Sequence, residues 1–401
     1  MKKLLVVVAL AVLPVCAQED VENAKRVVAS IEGLLKDRPN DPTLWYYLAR
    51  FQAQAGAKAA SVTALEKVLA IGNGFLPTQN DFRSVWADQE FQAVRAKLEA
   101  KLPRLDSAPT EFELPDRSLI PEGIAYDAPS QSFLLGSVAQ RKILRIGPDR
   151  AVTEFAGERA GLDAVLGLAV DAPRRTLYAV STSALTTEGE KKRRNAVVAF
   201  DVDSGRVLRR TEVPGATQLN DVAIARGGRV FASDSASGAI YEIPQDGAVR
   251  EVVPTGVIRG SNGVAVSPDA KRLYVGHSTG IAMVDLASGT VRRTAIPEHE
   301  TVAGIDGLYE WQGQLIGVQN LTTPGRVILM SLSSDGATIT RVQTLLSHHH
   351  SALDEPTTGV VTPRGFFLLA ATGVSRYNRA GVIENPDTAP KPVVLRIPLP
   401  R

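Results

Sequence analysis

Two kinds of hydrophobic pattern divide the chain. From about residue 20 to about residue 101, apolar residues recur at three- and four-residue steps, the period of a helix with one buried face. Val27, Val28, Ile31, Leu34 and Leu35 draw the first such face. Pro39 and Pro42 bracket a turn, and Asp41 is placed to cap a second helix carrying Trp45, Leu48 and Ala49. Gly56 separates it from a third helix with Ala64, Leu65 and Leu69, and the spacing of Phe82, Trp86, Phe91 and Val94 predicts a closing helix pair over 80–102. A polar, proline-containing stretch follows, and beyond it short alternating runs punctuated by Asp-Ser-Gly and Asp-Gly turns predict strands.

The strand region repeats itself. Glu122-Gly123-Ile124-Ala125 returns, aligned on its glycine and apolar residues, with leads at Leu166, Asn220, Asn262, Asp306 and Thr358. One supersecondary unit at this period predicts a six-bladed β-propeller. Each copy reads as an innermost strand, an antiparallel partner, a third strand and an outer strand. The sixth copy ends after its third strand, so residues 111–114 are expected to supply its outer strand and close the ring. The predicted class is thus an all-β propeller behind a small all-α domain. Its expected divisions are a leader at 1–17, helices at 18–103, a linker at 104–110 and the propeller at 111–401.

Composition narrows the chemistry. Lys2 and Lys3, an apolar run over 4–13 and Val15-Cys16-Ala17 read as a secretory signal, predicting export to the periplasm or beyond. Lipid anchoring at Cys16 is disfavoured by bulky Val15. Cys16 is the single cysteine, so a metal would have to be held by oxygen or imidazole. Lys+Arg 45 against Asp+Glu 43 argues against nucleic acid or a membrane surface as the main partner.

In a propeller the innermost strands line the channel, so the lead residues form a ring at one mouth. Glu122, Asn220, Asn262 and Asp306 would converge there as two carboxylates and two amides, a donor set for a divalent cation. Calcium is favoured over magnesium, which prefers a tight hydrated octahedron, and over zinc, which prefers nitrogen and sulfur. Second strands return to the same mouth, bringing Ser137, Thr182, Asp234, His277, Asn320 and Thr372 to it. Asp234 and His277 read either as rim residues satisfied by backbone or as partners of the ring, and His277 is the better acid–base candidate. Asp127, Asp171 and Asp269 fall at the opposite face and read as turn residues. His348-His349-His350 reads as a solvated loop, with one imidazole reaching the pore as the alternative. The insertion over 183–195, with Lys191-Lys192-Arg193-Arg194, reads as a solvated run or as a flap attracting an anionic substrate.

Pro121-Glu122-Gly123, Asn220-Asp221, Asn262-Gly263 and Asp306-Gly307, in blades one, three, four and five, resemble the gluconolactonase and regucalcin family. That resemblance, covering about residues 111–399, implies a six-bladed propeller with a divalent cation, often calcium, at the channel mouth. It implies Glu122, Asn220, Asn262 and Asp306 as ligands, Asp306 as an activator of water, and a lactone or related ester as small-molecule substrate. Trp45, Leu48, Ala49, Gly56 and Pro39 resemble part of a tetratricopeptide array, while Ser61 and Val68 depart from it. Such a short array is expected to pack on the propeller or pair with a second copy; a partner-binding groove is the alternative. The leading functional expectation is an exported, calcium-dependent lactone or ester hydrolase using Asp306 or His277. The runner-up is a non-catalytic sensor or scaffold docking a protein partner through the helices, and a third reading is a condensing enzyme using Glu355.

Overall fold

The structure, a computed structural model, describes residues 17–72, 74–185, 193–378 and 380–400. The predicted leader therefore lies outside the described residues except for Ala17. Six four-stranded antiparallel sheets are arranged as blades around a channel. Their innermost strands are Pro121–Asp127, Ala164–Asp171, Leu219–Ile224, Val264–Val266, Ile305–Trp311 and Gly359–Thr362. Blade six takes its outer strand, Thr110–Glu113, from ahead of blade one, paired antiparallel with Val393–Ile397. This closing strand is anchored by Phe112, whose ring lies 5.3 Å from that of Phe133, itself 4.9 Å from Phe367. The cluster fastens blade six to blade one and leaves no open sheet edge at the join.

The repeated phrase marks a recurrent irregularity. In blades one, two, three and five the inner strand carries one residue more than its partner: Pro121 and Ile124 pair with Ser137 and Leu135, and Ile305 and Leu308 with Gln319 and Gly317. Equivalent bulges lie between Val165 and Leu168 and between Leu219 and Val222. Such bulges twist the strand and re-aim its side chains. The glycine of the phrase is where neighbouring inner strands meet backbone to backbone. A Cβ on Gly123 would stand 1.9 Å from Leu166 O, and one on Gly263 2.3 Å from Asp306 O. Blade three has Asp221 at this position. Its carboxylate fills the junction, accepting from Val222 N (2.8 Å) and, across the blade boundary, from Val264 N (2.9 Å).

Four helices precede the propeller: α1 (Ala17–Asp37), α2 (Pro42–Gln54), α3 (Lys58–Ile71) and α4 (Gln89–Ala100). Asp41 caps α2 through Thr43 N at 3.0 Å and Leu44 N at 3.3 Å. The expected closing pair is one helix. Residues 79–87 form turns, because Thr78 and Asp81 engage locally or with Arg50 while Phe82 and Val85 are buried from a turn rather than a stripe. The helices sit on the propeller through Thr43 Oγ1 to Thr301 Oγ1 (2.9 Å), Tyr46 Oη to Thr323 Oγ1 (2.6 Å) and Leu76 N to Thr323 O (2.8 Å). Thr301 and Thr323 lie in connections that open on the mouth side of blades four and five, so the helical unit overlooks the channel mouth from that side.

Candidate functional site

The lead residues Glu122, Asn220, Asn262 and Asp306 lie at or beside the starts of the inner strands, and all four are buried. Three amides of this neighbourhood, Asn220, Asn262 and Asn320, donate to protein acceptors. Asn320 Nδ2 donates to Asp306 Oδ2 at 2.5 Å and to Pro356 O at 2.6 Å. Asn262 also donates to the Asp306 carboxylate, and Asn220 Nδ2 donates to Ser235 Oγ at 2.8 Å. Two buried oxygens, Glu122 Oε2 and Asn320 Oδ1, meet no donor among the described residues. The pocket is therefore rich in oxygen and short of donors, which is costly unless something positive completes it.

The raised proton affinities of the buried acids, set first by burial, state the same imbalance. Burial pushes the Asp306 carboxyl up to about 7, against the opposing hydrogen bonds from Asn320 and Asn262. Burial, and then the negative charges of Asp306 and Asp221, hold Glu122 well above the carboxylate range. Burial also raises Asp221 to about 7, although Val264 and Val222 N–H oppose it. The Tyr309 phenol is held protonated by burial and by the same carboxylates, and its oxygen accepts Gly359 N–H at 2.8 Å. Among the described residues no three His, Cys, Asp or Glu side chains group as a metal site. The donor set here is two carboxylates completed by amides, with Asp221 committed to backbone.

Sequence reasoning placed Asn320 at this mouth, where it donates to Asp306, but missed Asp221 and Tyr309 as members of this neighbourhood. Asp221 had a signal, a carboxylate where the repeat otherwise has glycine. Tyr309 had none, since simple alternation puts residues 306 and 309 on opposite faces and only the bulge changes that.

Other singled-out residues have different surroundings. Asp234 is consumed by four backbone N–H groups, of Thr217, Gln218, Ala236 and Ser237 at 2.5–3.1 Å. His277 ends its strand in the wall of a cavity beneath α1 and α2, where its Nδ1 accepts Thr279 N–H at 3.3 Å. Burial, aided by Arg38, lowers it to about 4, so the imidazole is neutral. The three histidines are partly exposed in the turn that follows Leu346. His350 Nε2 bonds Ala108 O at 2.8 Å and Ser347 N bonds Leu105 O at 2.8 Å, so this loop clasps the linker. Asp127, Asp171 and Asp269 make turn contacts with Ser130, Arg174 and Lys271. Glu355 Oε2 accepts Ser375 N–H at 3.2 Å. Lys191 and Lys192 lie outside the described residues, while Arg194 pairs with Asp163 at 2.7 Å.

A family model described as SMP-30/Gluconolactonase/LRE-like region matches residues 120–309. That match covers a little under half of the chain and marks a similarity of this stretch to the family. The matched stretch contains Glu122, Asn220, Asn262 and Asp306 together with Asp221 and Tyr309, and it excludes the helical unit, most of blade five and blade six. Among solved structures, an aldose sugar dehydrogenase from Streptomyces coelicolor in its PQQ-bound form is 15% identical, with a TM-score of 0.50 over 74% of this chain and 99% of that one. A gluconolactonase from Xanthomonas campestris is 19% identical, with a TM-score of 0.48 over 74% of this chain and 91% of that one. At such identities the likeness concerns the fold alone. No curated protein matches the chain.

Proposed function

We propose that the chain is a hydrolase of lactones or related esters whose channel-mouth pocket holds a divalent cation, calcium by the hardness of its donors. The observation that carries this reading is the donor-poor oxygen pocket, with Glu122 Oε2 buried and unpartnered, inside the stretch similar to the SMP-30/gluconolactonase/LRE-like family. Glu122, Asn220, Asn262 and Asp306 would hold the cation, and Asn320 would brace Asp306. When bound, a cation of this kind polarises a carbonyl and eases deprotonation of water.

The chain's own groups supply the rest. Asp306, fixed between Asn262 and Asn320, is the ring carboxylate that would take a proton from attacking water. Tyr309 spends its acceptor on Gly359 N–H and keeps its own proton, so it can donate to a substrate oxygen in the channel. His277 is neutral and set in a separate cavity wall, which leaves Asp306 as the base in this reading. The leader expected at 1–17 would deliver the enzyme outside the cytoplasm.

The test is a panel of aliphatic lactones, sugar lactones and aryl esters offered to wild type and to Asp306→Ala. Wild type with calcium should hydrolyse at least one lactone, and the variant should lose roughly a hundredfold or more in rate while keeping its circular dichroism spectrum. A folded variant with undiminished turnover removes Asp306 from the chemistry. A wild type inert on every substrate favours a binding role for the pocket.

A further inference from the structure

Outside the channel ring, the helical unit and blade four frame a cavity of about 550 Å³. Ile31 and Leu34 of α1, Leu44, Tyr47 and Phe51 of α2 and Val291 of blade four give it apolar walls. Its charged groups are mostly basic, Arg38, Arg259 and Arg293 against Asp37, with the neutral imidazole of His277 and the hydroxyls of Ser30, Ser278 and Thr279 also in the wall. Arg38 and Arg293 share one carboxylate, Asp41, at 3.1 and 3.4 Å, and Asp41 also accepts two N–H groups at the start of α2. Two guanidinium groups therefore lean on a single carboxylate already engaged by a helix. His277 adds a donor. Its Nδ1 accepts from Thr279 N–H, so the neutral ring carries its proton on Nε2, which meets no acceptor among the described residues.

We propose that this cavity binds a medium-chain aliphatic carboxylate, with its chain along α1 and α2 and its carboxylate on the side of Arg38, Arg293 and His277. The size and position fit a ligand site, since such pockets are commonly a few hundred to a thousand Å³, mostly apolar, and frequent at domain interfaces. The apolar walls disfavour inorganic phosphate or a sugar, which would leave polar groups unpaired against them. The basic edge disfavours a neutral hydrocarbon, whereas a carboxylate offers two oxygens to an arginine fork and an imidazole N–H. The site is independent of the ring chemistry proposed above. Because the ligand would bridge helices and blade four, it should also fasten the helical unit to the propeller and raise the melting temperature as it saturates.

The experiment is calorimetric titration of the full chain with sodium decanoate and with 1-decanol, both below micelle-forming concentrations. Saturable binding of one decanoate per chain is expected, with decanol roughly tenfold weaker for loss of a charge-assisted hydrogen bond. Ser30→Trp and Val291→Trp, two substitutions in the cavity wall, should each weaken decanoate at least tenfold. Arg293→Gln should bring decanoate down to the level of decanol. Asp306→Ala should bind decanoate like wild type, separating this site from the channel. Carbon-13 decanoate on wild type should show magnetisation transfer to the Tyr47 and Phe51 rings, a readout independent of how the variants fold. Absence of saturable binding, wild-type affinity in both folded tryptophan variants, or no transfer to those rings overturns the site. Equal affinity for decanol overturns the carboxylate assignment.

Discussion

Removal of the proposed cation should make the protein lose stability as pH rises, and the ring carboxylates set the size of the effect. Asp306 is raised from an ordinary 3.8 to about 7 in the folded chain. Three units at about 1.4 kcal/mol each amount to a contribution on the order of 4 kcal/mol. Its sign follows from the direction. The folded state binds this proton more tightly than the unfolded chain, so the stabilisation is full below pH 4 and is lost as pH climbs towards 7 and above. Glu122 is shifted in the same direction by burial and by Asp306 and Asp221. The assay is urea unfolding at pH 4 and pH 8 of chelated and calcium-loaded protein, on wild type and on Asp306→Asn. Asn keeps the shape and removes the charge, so the difference between the two proteins isolates the carboxylate from the other acids that titrate at low pH. Chelated wild type should lose several kcal/mol relative to Asp306→Asn between these pH values, and calcium should recover most of it. An identical pH profile in the two chelated proteins refutes the argument.

Three further outcomes follow from other contacts. Arg175 pairs with the buried Asp127 at 2.5 Å and also with Asp203, so Arg175→Met should cost about 3–5 kcal/mol at neutral pH by urea unfolding. Because this pairing lowers the Asp127 carboxyl, the cost should shrink as pH falls through the acid range. Removing residues 17–104 leaves every ring donor and the closing strand in place, so calcium affinity by calorimetry should be unchanged while the melting temperature falls; loss of binding would make the helices part of the site. Replacing residues 191–194 with serine should raise KM for an anionic lactone and leave a neutral one unaffected, a difference that should fade between 0.1 M and 1 M salt as the Debye length drops from about 10 to about 3 Å; equal effects on both substrates point to packing instead.

The six blades and the closing strand were legible because each copy repeats its turn, its glycine and its alternation, and because a propeller must dispose of its last edge. What was not legible came from contacts between distant segments. His277 was read as a rim residue satisfied by backbone or as a partner of the ring because its strand ends at the mouth; the helical unit packs over it and lines a different cavity with it. His350 lacked any local reason to grip the linker, since Ala108 is 242 residues away from it. Asp221 shows the opposite case. A charged residue at the glycine position was visible in the aligned copies, and its meaning, a carboxylate bridging two blades, required knowing that the inner strands touch there. The turns over 79–87 were mistaken for a helix because aromatic spacing alone does not separate a buried turn from a buried stripe.

The central claim is that a cation in the ring of Glu122, Asn220, Asn262 and Asp306 enables hydrolysis. Its most direct test is calcium titration of chelated protein with occupancy, by calorimetry, and lactone turnover read on the same preparation. Turnover should rise in proportion to filling of one site per chain, and Glu122→Gln should weaken occupancy and activity by the same factor. Turnover that persists in the chelated protein, or a filled site with no turnover of any lactone, would contradict the claim.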